Sequence, residues 1–406
     1  MKKVVEFKKM KSKNKLVYLF FLLIFMALSP GKAQVYEVSL LTCSPGEELY
    51  SSFGHSAVRV RQMTPGGQDL VFNYGTFDFR APNFYGNFVM GRLDDYYLSV
   101  TTFPNFIREY DYFQRDVREQ VLDLSVEQAD NLVQRLTFES DPSRRFYSYE
   151  FFFNNCATKV RDVFETALGD ELVWGEVIQE EEKTFRDLID EYVYSFPWSD
   201  FGIDLALGSV IDRDATEREK QFLPDYMEEA FAKATLVGDG PSRALVKTSR
   251  VILEFPKEEF VMDTLNPYTV MWAVAILFVA VTFFGHKKKR LLVGFDIGLF
   301  SVLGLLGLLL TFLWFFTDHA ATKWNWNILW AFPGHLVLVW GLLKKDAFPW
   351  LRKYLLFALI LADAAVVFWI LGWQSFHPSL IPLFLVIILR TNYLYYNIGS
   401  SSLKTR

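Results

Sequence analysis

Residues 151–160 read FFFNNCATKV, and this stretch decides how the first half of the chain folds. After Cys156 the apolar residues follow the i, i+3, i+4, i+7 spacing of one buried helix face, and Gly169 ends the pattern. Asn154 and Asn155 are candidate caps for that helix. The stretch therefore predicts a cysteine in the first turn of a helix, where the thiol pKa is lowered and backbone amides can bind an oxyanion.

The segment FGHSAVRV, residues 53–60, supplies the partner that such a thiol needs. His55 is the single histidine before the apolar C-terminal part, and it lies at the start of a predicted strand. An imidazole beside a thiol takes its proton and returns it to the leaving group. A third polar group should orient the ring, and Asn73 on the next strand is the first candidate, with Tyr74 second.

Two alternatives remain open at this point. Cys43 and Cys156 are the two cysteines of the chain and a disulfide between them would make both structural. His55 by itself is also compatible with an ordinary histidine at a strand end.

The surrounding sequence predicts an α+β domain over residues 34–262. Four short segments alternate in polarity and are typical of strands: Ala57–Arg61, Leu70–Tyr74, Val117–Leu124 and Tyr147–Phe153. Ser125 and Gln128 form a capping-box pattern that opens a helix running to about Phe138. Residues 216–236 predict an amphipathic helix interrupted near Pro224, and 244–255 predict a closing strand pair.

The N-terminus has the layout of a secretory signal peptide over residues 1–33: a lysine-rich start, an apolar run from Leu16 to Leu28, and small residues at Ala33. A retained membrane anchor is the alternative. Both interpretations export the following domain.

The C-terminal part, residues 263–406, predicts an all-α bundle of five membrane spans. They cover about 268–285, 291–316, 328–343, 353–373 and 379–397. Basic residues at 287–290, 344–345 and 352–353 mark the cytoplasmic side, so the first span enters from the exported side. The net charge of −5, with no basic stripe, argues against nucleic acid as a partner.

Polar residues of the membrane part lead to two further predictions. The exported-side loop 317–327 carries His319, Asn325 and Asn327, which we expect to line a lipid headgroup site, unless the loop is only an interfacial tryptophan belt. Asp363 and Arg390 fall at similar depths on sequential antiparallel spans and are expected to pair, because isolated charges are costly in lipid.

Several motifs resemble the Lnb family: SPGEELY at 44–50 with FGH at 53–55, FNYGTFDF at 72–79, NCAT at 155–158, and TDH at 317–319 with NWN at 325–327. The resemblance implies a lipoprotein N-acyltransferase of Bacteroides-type bacteria, with a periplasmic domain and a membrane bundle. The histidine-before-cysteine order is also similar to permuted papain-like hydrolases of the NlpC type and to lecithin:retinol acyltransferase. The latter has a second histidine where this chain has Asn73.

The resulting hypothesis is an inner-membrane acyltransferase that forms a thioester on Cys156. Its predicted partners are a phospholipid acyl donor and a diacylated lipoprotein acceptor, with Asn154 and Asn155 helping to bind substrate. We predict no cofactor and no metal. The alternatives are a membrane-anchored cysteine peptidase or amidase that acts on cell-wall peptides, and a non-catalytic assembly protein.

Overall fold

The computed structural model describes residues 35–175, 182–238, 240–256, 262–344 and 349–398, together with the backbone of 404–405. The predicted signal peptide lies outside these residues. The described chain forms an N-terminal domain (residues 35–256) and a membrane region (residues 262–398).

A seven-stranded antiparallel sheet is the centre of the N-terminal domain, with strand order β10-β5-β1-β2-β3-β4-β6. Its strands are β1 (Tyr36–Cys43), β2 (His55–Gln62), β3 (Asp69–Thr76), β4 (Tyr96–Thr102), β5 (Val117–Leu122), β6 (Phe146–Tyr147) and β10 (Val246–Leu253). Three two-residue strands form a small second sheet: β7 (Leu172–Val173), β8 (Thr235–Leu236) and β9 (Arg243–Ala244).

Helices cover both faces of the large sheet. The helices of this domain are α1 (Phe84–Met90), α2 (Phe103–Tyr112), α3 (Val126–Glu139), α4 (Cys156–Leu168), α5 (Phe185–Val193), α6 (Pro197–Ala206), α7 (Glu217–Lys220) and α8 (Pro224–Lys233). Leu40, Val58 and Phe72 pack on one face against α3, α4 and α8. Leu41 and Ala57, which alternate with them, pack on the other face against α2.

Local sequence signals account for several helix ends. The capping box of Ser125 and Gln128 is present, as predicted, and opens α3. The predicted interruption near Pro224 is also found, because α7 ends at Lys220 and α8 starts at Pro224.

Two predicted strands differ from the structure. Of the predicted strand Tyr147–Phe153, only Tyr147 lies in a strand, the two-residue β6, because the Glu150 carboxylate accepts hydrogen bonds from the backbone N–H of Phe152 and Phe153 and folds them into a turn. The predicted strand pair at 244–255 is one long strand, β10 (Val246–Leu253), preceded by the two-residue β9 (Arg243–Ala244).

Among the described residues of the membrane region, four helices are long and apolar enough to cross a membrane. They are α9 (Pro267–Lys287), α10 (Val293–Phe315), α12 (Pro349–Ile370) and α13 (Ile381–Asn397), the last preceded by a 3-10 turn from Pro378. The predicted span 328–343 contains only the nine-residue helix α11 (His335–Leu343) after a 3-10 turn, Trp326–Leu329.

The segment with α11 runs antiparallel beside α12. Trp326 packs on Phe368 near the end of α12, with ring centroids 5.0 Å apart. The Tyr354 hydroxyl, in the second turn of α12, lies 3.0 Å from Nδ1 of His335. Gly341 lies against Trp350 at the start of α12. The segment 326–341 therefore accompanies α12 over most of its length, whereas α11 itself lies beside only the first turns of α12.

The predicted pair of Asp363 and Arg390 is wrong. Arg390 binds Asp296 through two hydrogen bonds of 2.8 Å, from Nε and from Nη2, and both side chains are fully buried. Asp363 lies on an exposed face of α12. Sequence spacing indicates the depth of a residue along a span but not which side of the helix faces its neighbours.

Candidate active site

Cys156 begins α4, and the cap of this helix is held on both sides. Asn155 Oδ1 accepts from the backbone N–H of Thr158 at 2.9 Å, and Thr158 Oγ1 accepts from the backbone N–H of Asn155 at 2.8 Å. The amide of Asn155 also donates to the Phe222 carbonyl at 2.7 Å. The position of the thiol is therefore set by the helix start, as the sequence predicted.

Both cysteines are free thiols in the structure. Cys43 lies on β1 directly across from His55 on β2 and is buried, whereas Cys156 is half-buried. The structure therefore does not contain the disulfide that the cysteine count allowed.

Burial and backbone donors act in opposite directions on the Cys156 thiol. Burial raises its pKa, while the backbone N–H groups of Ser56, Ala157 and Cys156 itself lower it, and the net direction is upward. The lowered pKa that we expected from a helix N-terminus is wrong, since loss of water outweighs the amide donors. The resting group is a neutral thiol with amide donors next to it.

His55 is held by the residue that the sequence put first. Its Nε2 lies 3.3 Å from Oδ1 of Asn73, whose own amide donates to the Val71 carbonyl. With the Asn73 oxygen facing the ring, Nε2 carries the proton and Nδ1 keeps the lone pair. Burial, reinforced by the charge of Arg115, lowers the pKa of His55 to about 4, so the ring is neutral near pH 7.

The backbone next to His55 approaches Cys156. The backbone N–H of Ser56, the residue after His55, is near enough to the Cys156 sulfur to lower the thiol pKa, but in the described part of the chain no hydrogen bond joins the thiol to the imidazole. A base and its nucleophile often lie farther apart before substrate binds. A reaction at this site requires the ring and the sulfur to close that gap.

Gly75 allows β3 to pass close to the start of α4. It has a φ of +82°, and a Cβ atom there would lie 3.4 Å from Cβ of Cys156. The pairing of β3 with β4 shifts register between Asn73 and Thr76, which marks a bulge at this point. The strand that carries Asn73 is thereby bent next to the thiol.

Tyr74, the second candidate to orient His55, does not do so. Its hydroxyl donates to Oε2 of Glu139 at 2.7 Å and its ring is buried beneath α3 and α4. Successive strand residues point to opposite faces, so Tyr74 faces away from Asn73 and His55.

Arg115 is a residue of the site that sequence reasoning missed. Its charge lowers the pKa of His55 and of Cys156. Nε donates to the Ser44 carbonyl at 2.8 Å, while Nη2 is buried and has no partner among the described residues. Arg115 belongs to the loop before β5, and its sequence surroundings contain no motif that would have identified it.

The side chains of the remaining predicted binding residues mostly form hydrogen bonds within the protein. Asn154 donates to the Ser148 carbonyl within its turn, and Asn155 serves as the helix cap. Asn325 donates to the carbonyls of Leu205 and Ala206 at 2.8 and 3.0 Å, and Asn327 donates to those of Asp204 and Leu205 at 3.1 and 3.3 Å.

Asn325 and Asn327 are buried, so their amides bind α6 of the N-terminal domain and are not open to a lipid headgroup. This corrects the prediction for both. The side chain of His319 lies with its Nε2 3.0 Å from the Phe88 carbonyl, so it contacts the end of α1.

One group of side chains has the composition of a metal site. Ligand atoms of Asp200, Asp204 and His377 lie within 4.8 Å of one another at the junction of the two regions. Arg186 binds Asp204 at 2.5 Å, and His377 Nε2 lies 3.4 Å from Asp200. Arg186 supplies a positive charge to Asp204, one of the two carboxylates of this cluster.

Comparisons with known proteins match two parts of the chain. Residues 31–190 match the family model of the Lnb N-terminal periplasmic domain, and residues 257–401 match that of the Lnb transmembrane domain. No curated protein and no solved structure matches. The matches place the N-terminal domain in the periplasm and the apolar helices in the inner membrane.

Proposed function

Because this chain belongs to the Lnb family, we propose that it is a lipoprotein N-acyltransferase, which moves an acyl chain from a phospholipid through a thioester on Cys156 to the N-terminal amine of a diacylglyceryl-cysteine lipoprotein. Within this proposal, residues 34–262 form a permuted papain-like catalytic domain, and residues 263–406 cross the membrane five times, with α11 in the third crossing.

The first half-reaction uses a neutral thiol and a neutral imidazole. The Cys156 sulfur attacks the carbonyl carbon of a phospholipid ester while Nδ1 of His55 takes the thiol proton. Backbone N–H groups at the start of α4 stabilise the oxyanion. The carbon–oxygen bond to the glycerol then breaks, the imidazolium returns the proton to that oxygen, and lysophospholipid leaves.

The second half-reaction transfers the chain to nitrogen. The α-amine of the lipoprotein attacks the thioester carbonyl, the carbon–sulfur bond breaks, and one amine proton passes through His55 to the sulfur. The product is an amide and the free thiol is restored. Asn73 holds the ring in the tautomer that both steps need.

The observation that carries this proposal is Cys156 at the capped start of α4, near the backbone N–H of Ser56, together with His55, the residue before Ser56, held by Asn73. The fixed attachment of this domain to the membrane region supports a lipid substrate. Gly208 N–H donates to the Ala321 carbonyl at 2.8 Å, and a Cβ atom on Gly208 would lie 1.9 Å from the Lys323 carbonyl oxygen. The attachment therefore keeps Cys156 at a fixed distance from the membrane region, where a lipid substrate would lie.

The experiment combines the purified full-length protein with phospholipid and a diacylated lipopeptide. We expect triacylated lipopeptide and lysophospholipid in equal amounts. Without the acceptor, mass spectrometry should find an acyl adduct on Cys156 that hydroxylamine releases. Cys156→Ala should form neither adduct nor product, whereas the matched variant Cys43→Ala should form both. Cleavage of a cell-wall peptide with no lysophospholipid would instead indicate the peptidase alternative.

A further inference from the structure

A group of aromatic rings lies between β3 and α1 on the surface of the periplasmic domain. We define this aromatic patch as Tyr50, Phe77, Phe79, Phe84 and Phe88. Phe77 contacts Tyr50, Phe79 and Phe84 with ring centroids 6.1, 4.8 and 5.6 Å apart, and Phe84 stacks on Phe88 at 6.3 Å. Tyr50 is 63% exposed, Phe79 47% and Phe88 50%. Large contiguous apolar surface of this kind marks an interaction site.

One end of the aromatic patch reaches the candidate nucleophile. Phe77 contacts Tyr96 at 5.0 Å, and Tyr96 stacks on Tyr149 at 4.4 Å. A Cβ atom on Gly75, two residues before Phe77, would lie 3.4 Å from Cβ of Cys156 and 3.8 Å from the Tyr149 ring. The rings thus continue without interruption from the surface to the residues around the thiol.

The other end of the aromatic patch reaches the membrane. Phe88 lies in the last turn of α1, and its carbonyl is 3.0 Å from Nε2 of His319. The next contact is a hydrogen bond of 2.8 Å from the N–H of Asp318 to the Met90 carbonyl. His319 and Asp318 belong to the loop that directly follows the membrane helix α10. Phe315 and Phe316, at the end of that helix, are 62% and 65% exposed.

The approach of α1 to this loop is close because Gly91 has no side chain. It has a φ of +73°, and a Cβ atom there would lie 2.7 Å from the backbone nitrogen of His319. The patch is therefore held by backbone contacts beside the loop that follows α10, a membrane helix whose last aromatic residues are exposed.

From this continuity we infer that the aromatic patch is the acyl-chain subsite, on which the chain of the donor phospholipid rests between the bilayer and Cys156. The inference rests on the proposed function and adds to it the residues that select a long apolar donor. An acyl chain that leaves the bilayer beside α10 would move from contact with lipid to contact with the aromatic patch. Its apolar surface therefore stays out of water while the ester carbonyl approaches the sulfur.

The test compares two acyl donors in the full-length protein. One is a long-chain phospholipid in micelles, and the other is p-nitrophenyl acetate, whose acyl group is too short to reach the aromatic patch. The double variant Phe79→Ser with Phe88→Ser removes two half-exposed rings but no backbone contact. The matched control is Tyr112→Ser with Phe113→Ser, two exposed rings at the end of α2 that contact each other at 5.0 Å.

We expect Cys156 acylation by the phospholipid to fall about tenfold or more in the patch variant, equivalent to about 1.4 kcal/mol. Acylation by p-nitrophenyl acetate, and both reactions of the control variant, should stay unchanged. If the patch variant reacts with the phospholipid as fast as wild-type protein does, the inference is overturned. An equal loss of rate with both donors also overturns it, because that result would indicate damage to the thiol site.

A second measurement does not depend on turnover. A phospholipid with a diazirine near the end of its acyl chain should label residues 77–90 on irradiation. Labelling confined to the membrane helices, or crosslinking of two copies of this chain through the patch, contradicts an acyl-chain subsite. If wild-type protein forms no Cys156 adduct with either donor, the proposed function itself fails, and this outcome is distinct from a failure of the patch alone.

Discussion

The buried pair of Asp296 and Arg390 allows a quantitative test of the membrane region. Both side chains are fully buried, and the guanidinium has three hydrogen bonds: two to Asp296 at 2.8 Å and one from Nη1 to Oγ1 of Thr282 at 2.7 Å. Asp296→Ala removes two of the three and leaves a charge with a single hydroxyl partner. Removing one member of a buried ion pair costs about 3–5 kcal/mol.

We therefore expect Asp296→Ala to lower the free energy of unfolding by about that amount. The double variant Asp296→Leu with Arg390→Leu removes both charges and should recover most of the loss. Asp363→Ala is the control, because Asp363 lies on an exposed face of α12 and does not bind Arg390, so its removal should not lower the free energy of unfolding. Chemical denaturation in detergent micelles, followed by tryptophan fluorescence, measures all three.

Two results would refute this reasoning. A double variant that is as unstable as Asp296→Ala would show that the loss comes from packing and not from a stranded charge. A loss at Asp363 as large as that at Asp296 would show that α12 presents its carboxylate to Arg390 after all.

Four further outcomes are expected. Cys156→Ala should keep the melting temperature of the wild type and lose all acyl transfer, while Cys43→Ala keeps its activity, as the adduct assay by mass spectrometry will show. The rate of Cys156 acylation should be constant from about pH 7 down to about pH 5 and fall near pH 4, because the pKa of His55 is lowered to about 4 and its protonation removes the base. Arg115→Gln removes a charge that lowers this pKa, so the fall in the pH–rate profile should move to higher pH. Burial, with the charges of Asp204 and Asp200, raises the pKa of Asp190 to about 8, so the folded state keeps a proton that the unfolded state loses. The free energy of unfolding should therefore fall as the pH rises from about 4 to 8. Thermal melting should show Asp190→Asn with a higher melting temperature than wild type at pH 8 but not at pH 4.

Local signals predicted much of the candidate site. A helix that starts at Cys156 can be identified from the periodicity after it and the asparagine before it, and both are properties of neighbouring residues. His55 and Asn73 lie on paired strands of similar length, so short-range alternation was enough to expect them together. For the same reason, alternation should have excluded Tyr74, which follows Asn73 and must point to the other face.

The failures concern contacts between distant parts of the chain. Asn325 and Asn327 carry polar groups that suit a headgroup, but their partners are carbonyls about 120 residues away in α6. Arg115 reaches the site from a loop whose path depends on the whole sheet. The raised thiol pKa depends on burial, which is a property of the folded domain and not of the helix N-terminus alone.

The hydrogen bonds from Asn325 and Asn327 to α6 determine which residues at this junction can be substituted. Both amides bind main-chain oxygens of residues 204–206, and every amino acid presents the same carbonyl. The side chain at Ala206 can therefore change while the attachment persists, provided the helix keeps its shape, whereas Leu205 also packs against the hydrophobic core of the membrane region. The two asparagines are under the opposite constraint, since a substitution at either strands buried carbonyls. We therefore expect substitutions at Ala206 to leave this junction intact and substitutions at Asn325 or Asn327 to destabilise it.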